Sequence, residues 1–200
     1  MFSAASQPLM NPNTNNHTHR ITQELPLVAL FILAIWGVFF IDRVFPLEQF
    51  GLIPRQLSGL TGIFTMPFLH ANLQHIMNNT VPLTVLLLLL AGSRADSRLV
   101  VLLIMVLGGL LLWLFGRSYS LHIGASGLVF GLASFLMVSG LLERRLVPML
   151  ISVLVAFLYG TSLLAGLVPW QPGVSWDGHL FGGIAGAFVA WLLVKYKQQT

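Results

Sequence analysis

Cysteine is absent from these 200 residues. That excludes disulfides, thiolate metal sites and a cysteine nucleophile, and it leaves the redox compartment open. Charge is nearly as scarce: 8% of residues carry one, 10 basic and 6 acidic, where a soluble domain carries about 25%. Hydrophobic residues make up 56% of the chain and mean hydropathy is +0.85. A water-soluble globule and a disordered chain are thereby excluded. The pI near 10.1 does not imply nucleic-acid binding, because the basic residues form no patch, and no nucleic-acid partner is expected. What remains is a one-domain polytopic membrane protein whose first partner is the lipid bilayer.

Charges this sparse mark the loops. Between Glu24 and Asp42 lie 17 uncharged residues, and between Arg55 and Arg94 lie 38. A span needs about 20 apolar residues, with a range of about 17–25. Six helices fit, at 25–41, 72–92, 99–116, 124–142, 147–168 and 178–194. Pro54, Ser58, Gly59, Thr61, Gly62 and Pro67 break the first half of the 38-residue stretch, so it holds one helix and a long loop. With six spans both termini share a side. That side collects seven of the basic residues, Arg20, Arg94, Arg98, Arg144, Arg145, Lys195 and Lys197, and the other side only Arg43, Arg55 and Arg117. The excess of Lys and Arg predicts cytoplasmic termini.

The expected fold class is an all-α membrane protein, a six-transmembrane-helix bundle. Residues 1–23 read as a disordered cytoplasmic tail, in which His17 and His19 are inert, and 24–197 as the membrane domain. The tail does not have the pattern of a signal peptide. The loop after the first helix is rich in Phe and Leu and is expected to lie outside, partly in the interface.

Strongly polar residues in a span are costly and point to function by default. The second span opens with His70, His75, Asn78 and Asn79, and the fourth with His122, Gly124, Ser126, Gly127 and Gly131. The sixth opens with Asp177, Gly178, His179, Gly182, Gly183 and Gly186. Even-numbered spans run from outside to inside, so three separate segments bring polar groups to one level, about a turn below the outer surface. His75 and Asn79, four apart, share a helix face. Gly127 and Gly131, like Gly182 and Gly186, form small-xxx-small stripes that let membrane helices approach closely. The fourth and sixth spans are therefore expected to pack together and bring Ser126 to His179. Helix packing alone would also account for the glycines.

With no cysteine and no lysine inside a span, a hydroxyl must serve as nucleophile. Ser126 is the one flanked by glycines that leave room for a substrate. A serine needs a base to take its proton, and His179 is placed for that. The partial positive charge of a helix N-terminus, about +0.5, favours its neutral imidazole. His75 and Asn79 can aim donors at a developing oxyanion, helped by free amides at the start of the fourth helix. Together these make an acyl-transfer site. No buried acid is evident for His179: Asp177 reads as a helix cap or a solvated charge. His70 and His122 read as structural ties for the outer loops. Gly124-Ala125-Ser126-Gly127 is not the G-x-S-x-G elbow of soluble hydrolases and is weak by itself.

Taken in order and on these spans, three motifs resemble the rhomboid family of intramembrane serine proteases, in its minimal six-helix bacterial type. They are His70-x4-His75-x3-Asn79, Gly124-Ala125-Ser126-Gly127 and His179-x2-Gly182-x3-Gly186, and the resemblance runs from about residue 26 to 195. It implies a rhomboid-like bundle with a water-filled cavity open to the outside. It implies a Ser126–His179 dyad without a catalytic acid, and an oxyanion hole of His75, Asn79 and the Ser126 amide. The substrates it implies are transmembrane proteins, whose helices are cut at a small residue near the outer face of a bacterial inner membrane. Many bacterial relatives carry a tyrosine four residues after the serine, stacked under the histidine; here Phe130 stands there. The first loop also lacks the family's common Trp-Arg pair, with Arg55 and LSGLTGIFTMPFLH in its place.

Two other readings compete. A catalytically inactive rhomboid-like protein that binds membrane clients would usually have lost the serine or histidine, and both are present. A metal or haem protein using the outer histidines would lack carboxylate or thiolate ligands among the spans and any H-E-x-x-H pair. No cofactor and no metal are expected.

Overall fold

The computed structural model describes residues 15–94, 96–169 and 173–199, with side chains described for 22–94, 96–169 and 173–196. Helix is the dominant secondary structure, and the described residues contain no strand beyond one isolated bridge, Leu52 to His122. Six long helices are apolar enough to cross a membrane: α1 (Asn15–Asp42), α2 (Leu73–Ser93), α3 (Ser97–Phe115), α4 (Ser126–Glu143), α5 (Leu146–Gly166) and α6 (Trp176–Gln199). The protein is a multi-pass membrane protein. Of the tail expected over 1–23, residues 1–14 lie outside the described residues. From Asn15 the backbone is already helical and leads into the apolar part of α1, Thr22–Asp42.

The ends of the helices have local causes. Asn72 caps α2: its side chain accepts from the His75 amide at 2.9 Å, satisfying one of the donors that a helix start leaves free. Residue 124 was expected inside the fourth span, but α4 begins two residues later. Gly124 has φ +111°, a conformation that only glycine adopts without strain and that a right-handed helix cannot contain. Its amide turns away to the Met66 carbonyl, at 2.9 Å.

α4 is the centre of the bundle, packed against α2, α3, α5 and α6, while α1 lies outside against α2 and the Met66–Phe68 turn. Trp36 on α1 donates its indole N–H to Thr80 on α2 at 3.2 Å. The core is Leu, Ile and Phe from α1 to α4, completed by Val155 of α5 and Val189 and Ala190 of α6, with Ile76, Leu83, Leu86, Leu90, Ile104, Leu132 and Phe135 fully enclosed. In lipid no hydrophobic force drives helix against helix, so close packing must do it. Glycine supplies that here. A Cβ on Gly182 would overlap the Gly127 carbonyl oxygen, and one on Gly186 the Gly131 carbonyl oxygen. A Cβ on Gly127 would lie 3.2 Å from the Gly178 oxygen. α4 and α6 thus meet backbone to backbone over two turns, as the glycine stripes predicted. α3 also packs on α6 at Gly108, less tightly: a Cβ there would meet the Gly182 Cα at 3.5 Å, an ordinary contact distance.

The loop between α1 and α2 is built from short turns at Glu48–Phe50, Leu57–Leu60, Gly62–Thr65 and Met66–Phe68. It is tied down at many points. Leu52 pairs with His122, Leu52, Ile63, Met66 and Leu112 form a small core of their own, and Trp113 donates to the Gln56 carbonyl at 2.9 Å. An arginine anchors the loop despite the missing Trp-Arg pair. The Arg55 guanidinium donates to the Leu114 carbonyl at 2.9 Å and also to the Ser118 hydroxyl, while its amide donates to Trp113. At the opposite end of the bundle, buried Arg94 pairs with Asp96 and Glu143 and lies over the Phe135 ring, pinning the α2–α3 turn to the end of α4.

Candidate active site

The three polar clusters meet at one end of the bundle, where α2, α4 and α6 start. Ser126 is the first residue of α4 and His179 lies in the first turn of α6. The glycine contact between these helices begins one residue beyond Ser126. It brings the Ser126 hydroxyl to 2.8 Å from His179 Nε2.

The other face of the imidazole is fixed without a carboxylate. His179 Nδ1 lies 2.8 Å from the carbonyl oxygen of Gly166. A carbonyl only accepts, so Nδ1 carries the proton and Nε2 presents its lone pair to Ser126. The ring is also stacked on Phe130, centroids 4.1 Å apart and 9° from parallel. Gly166 has to be glycine for this arrangement, because a Cβ there would strike the Phe130 ring and stand 3.0 Å from His179 Nδ1. His179 is therefore held by a backbone oxygen on one edge, a serine on the other and an aromatic ring on one face.

His75 and Asn79 lie beside Gly124, just before Ser126. A Cβ on Gly124 would be 2.5 Å from His75 Nε2 and 3.7 Å from Asn79 Nδ2, so the absent side chain makes room for both donors. Asn79 is buried and donates to the His75 carbonyl at 3.0 Å. Ser126 opens its helix, so its amide has no partner within it. His75 Nε2 and Asn79 Nδ2 thus lie against Gly124, two residues before the serine. A negatively charged oxygen formed there would be stabilised by preorganised dipoles.

Asp177 corrects the expectation of a cap or a solvated charge. It is 2% exposed and forms a salt bridge with Arg117. Its carboxylate accepts from the Arg117 amide at 2.9 Å, from Nε at 3.2 Å and from Nη2 at 3.1 Å. The reason is topological: the α3–α4 loop folds over the first turn of α6 and delivers Arg117 there, sixty residues away in sequence.

His70 and His122 are both enclosed. The Ala125 amide donates to His70 Nε2 at 3.4 Å, and the His70 ring lies edge-on to His75 at 5.0 Å. Burial, assisted by the neighbouring His75, pushes the His70 pKa down to about 4. His122 Nδ1 shares a 2.7 Å hydrogen bond with the Ser175 hydroxyl. Burial lowers the His122 pKa, Asp177 opposes that shift, and Arg117 reinforces it. Among the described residues no group of three or more His, Cys, Asp or Glu could hold a metal ion. An apolar groove of about 410 Å³ between α1, α2 and α3 includes Phe31, Phe68, Leu87 and Met105 in its wall. It touches neither Ser126 nor His179, so it is not where this chemistry would occur.

The sequence reading missed three elements of the site. The Gly166 carbonyl is a backbone group with no side-chain signal. The Arg117–Asp177 pair is invisible without the loop's path, although Arg117 directly before the fourth span was a hint. The buried state of His122 was equally hidden.

The chain matches the rhomboid domain family over residues 57–196. It is also similar to uncharacterized proteins of Mycobacterium bovis and Mycobacterium tuberculosis, 42% identical over 180 residues, covering 83% of this chain and 73% of the relative in each case. An uncharacterized protein of Mycobacterium leprae is 38% identical over 184 residues, 86% of this chain and 72% of the relative. The family match takes in α2 to α6, every helix that contributes to the site, and the chain belongs to the rhomboid family, whose members are generally intramembrane serine proteases.

Proposed function

We propose that this protein is an intramembrane serine endopeptidase that cuts transmembrane helices of other membrane proteins, with Ser126 as nucleophile and His179 as general base. The observation that carries this reading is the 2.8 Å contact of Ser126 Oγ with a His179 Nε2 whose tautomer is set by Gly166. His179 takes the Ser126 proton as Oγ adds to the scissile carbonyl carbon. The carbonyl oxygen becomes an oxyanion facing the Ser126 amide, His75 and Asn79. The imidazolium then gives its proton to the leaving amine as the C–N bond breaks. Water, deprotonated by the same histidine, hydrolyses the acyl-enzyme and restores the serine. No carboxylate among the described residues hydrogen-bonds the imidazole. A carbonyl dipole at Nδ1 and the π-face of Phe130 stand in for it.

The distribution of Lys and Arg supports cytoplasmic termini. On that orientation the dyad lies near the extracytoplasmic face; the bacterial inner membrane and a cavity open to outside water are what membership of the family implies. The test is cleavage of a generic transmembrane substrate by the full chain in liposomes. Wild type is expected to cut, and Ser126→Ala and His179→Ala are each expected to lose activity. Cleavage retained in either purified variant refutes the dyad. A folded wild type that cuts nothing, with client binding unchanged in Ser126→Ala, makes it a client-binding member of the family.

A further inference from the structure

Beside the dyad lies a polar cluster that the proton transfers do not use: Arg117 and His122 on the α3–α4 loop, Ser175 and Asp177 at the start of α6. We propose that the Arg117–Asp177 ion pair, braced by His122, is a positioning clamp that sets His179 against Ser126. The proposal rests on the protease reading and adds positioning residues to it.

The dyad needs such a device. No carboxylate among the described residues hydrogen-bonds His179, and its Nδ1 partner is the carbonyl of Gly166, the last residue of α5. α5 lies at the edge of the bundle and packs mainly on α4, so it holds His179 from one side only. The first turn of α6 is fixed from the other side. Asp177, two residues before His179, accepts three hydrogen bonds from Arg117, one of them from the backbone amide. Arg117 also reaches toward the Val174 carbonyl, at 3.4 Å. The His179 amide itself donates to the Ser175 carbonyl, at 3.0 Å, and the Ser175 hydroxyl bonds His122 Nδ1 at 2.7 Å. His122 Nε2 faces Asp177 Oδ2 at 3.7 Å.

The same loop feeds directly into Ser126. His122 exchanges both backbone hydrogen bonds with Leu52, at 2.8 and 3.0 Å, and Gly124 bonds Met66. Tyr119, 91% exposed, sits at φ +61°, a conformation a residue other than glycine keeps only where its surroundings dictate it. One ion pair therefore locks the segment that ends in the nucleophile to the segment that carries the base.

The exposures predict an asymmetry. Asp177 is 2% exposed on its side chain, whereas Arg117 is 44% exposed. Losing Arg117 strands a buried carboxylate. Losing the Asp177 charge leaves an arginine that can turn to water, and an asparagine there still accepts the Arg117 amide.

The experiment compares Arg117→Gln, Arg117→Lys, Asp177→Asn and the double variant Arg117→Gln/Asp177→Asn in the full chain in liposomes. It reads kcat and KM for a transmembrane substrate, with thermal unfolding alongside. Misplacement of reacting groups by about 1 Å costs roughly 100-fold in rate, so kcat should fall about 10- to 100-fold in Arg117→Gln with KM nearly unchanged. Asp177→Asn should lose less, and Arg117→Lys should recover part of the rate. The double variant should return to the Asp177→Asn level, because it removes the stranded charge. If Arg117→Gln does not fold, the near-isosteric Asp177→Asn carries the test through its own kcat loss at unchanged KM. Wild-type kcat in both Arg117→Gln and Asp177→Asn, or losses confined to KM, overturns the clamp while leaving the protease reading intact. A wild type that cuts nothing overturns both.

Discussion

Adding one methyl group at Gly182 should switch this protein off, whereas adding it at Gly183 should not. The ideal Cβ of residue 182 falls on the Gly127 carbonyl oxygen and within 3.1 Å of the Gly127 Cα. The obstacle is backbone, so no rotamer change relieves it. Ordinary contact needs at least 3.4 Å, and α6 must therefore shift from α4 by on the order of 1 Å. Gly182 is one turn past His179 and Gly127 directly follows Ser126, so the displacement arrives at the dyad. The 2.8 Å Oγ–Nε2 contact would stretch beyond useful hydrogen-bond length. A 1 Å misplacement is worth about 100-fold in rate, and overpacking costs about 1–3 kcal/mol of stability. Alanine's better helix propensity, about 1 kcal/mol, offsets part of the second figure and none of the first. A Cβ on Gly183 meets nothing within 4 Å, so Gly183→Ala should keep wild-type activity and gain slightly in stability. The assay is cleavage of a transmembrane substrate in liposomes beside thermal unfolding in detergent. Equal activity in the two variants would refute the claim that backbone contact between α4 and α6 sets the dyad.

Two further expectations concern the ring under the base and the pH response of the fold. Phe130→Leu keeps bulk but removes the stack on His179; such aromatic contacts are worth about 0.5–1.5 kcal/mol. Its kcat should fall up to about tenfold, and Phe130→Tyr should retain activity; an undiminished rate in Phe130→Leu would deny the ring any part in holding the base. His70 titrates near 4 in the fold against 6.5 in the unfolded chain. Between those values the unfolded state binds more protons, so stability is full above about pH 6.5 and is lost as pH falls toward 4, by up to about 3 kcal/mol at 1.36 kcal/mol per pH unit. Protonation would also remove the acceptor from the Ala125 amide. Unfolding temperature measured across this range should fall in wild type and fall less steeply in His70→Leu, where buried His122 still contributes; parallel curves would show that His70 has no share in the loss.

Much of this architecture was legible in the sequence because the bilayer simplifies the problem. Sixteen charges among 200 residues cannot lie in spans without cost, so the gaps between them outlined the six helices. The parity of the spans then placed His75, Asn79, Ser126 and His179 at one level before any packing was known. The Gly127–Gly131 and Gly182–Gly186 stripes pointed to the α4–α6 contact because small residues at that spacing have one dominant use in lipid. What escaped was whatever depends on the path of a loop. Asp177 looked like an ordinary charge at a helix start, since nothing local distinguishes a solvated carboxylate from one about to be covered. Its partner stands sixty residues earlier, on the α3–α4 loop. Gly166 carried no signal, because its role belongs to its carbonyl and to the side chain it lacks. Arg55 replaces the family's usual arginine arrangement by bonding to the end of α3, a solution set by the course of the chain between Leu52 and Thr65.

The central claim is that Ser126 is activated by His179, and the most direct measurement is covalent labelling. The full chain in mild detergent would be exposed to a tagged fluorophosphonate, and the modified residue identified by mass spectrometry in wild type, Ser126→Ala and His179→Ala. The account predicts a single adduct on Ser126 in wild type and none in either variant. An adduct on a different serine, or labelling of Ser126 that persists without His179, would contradict it.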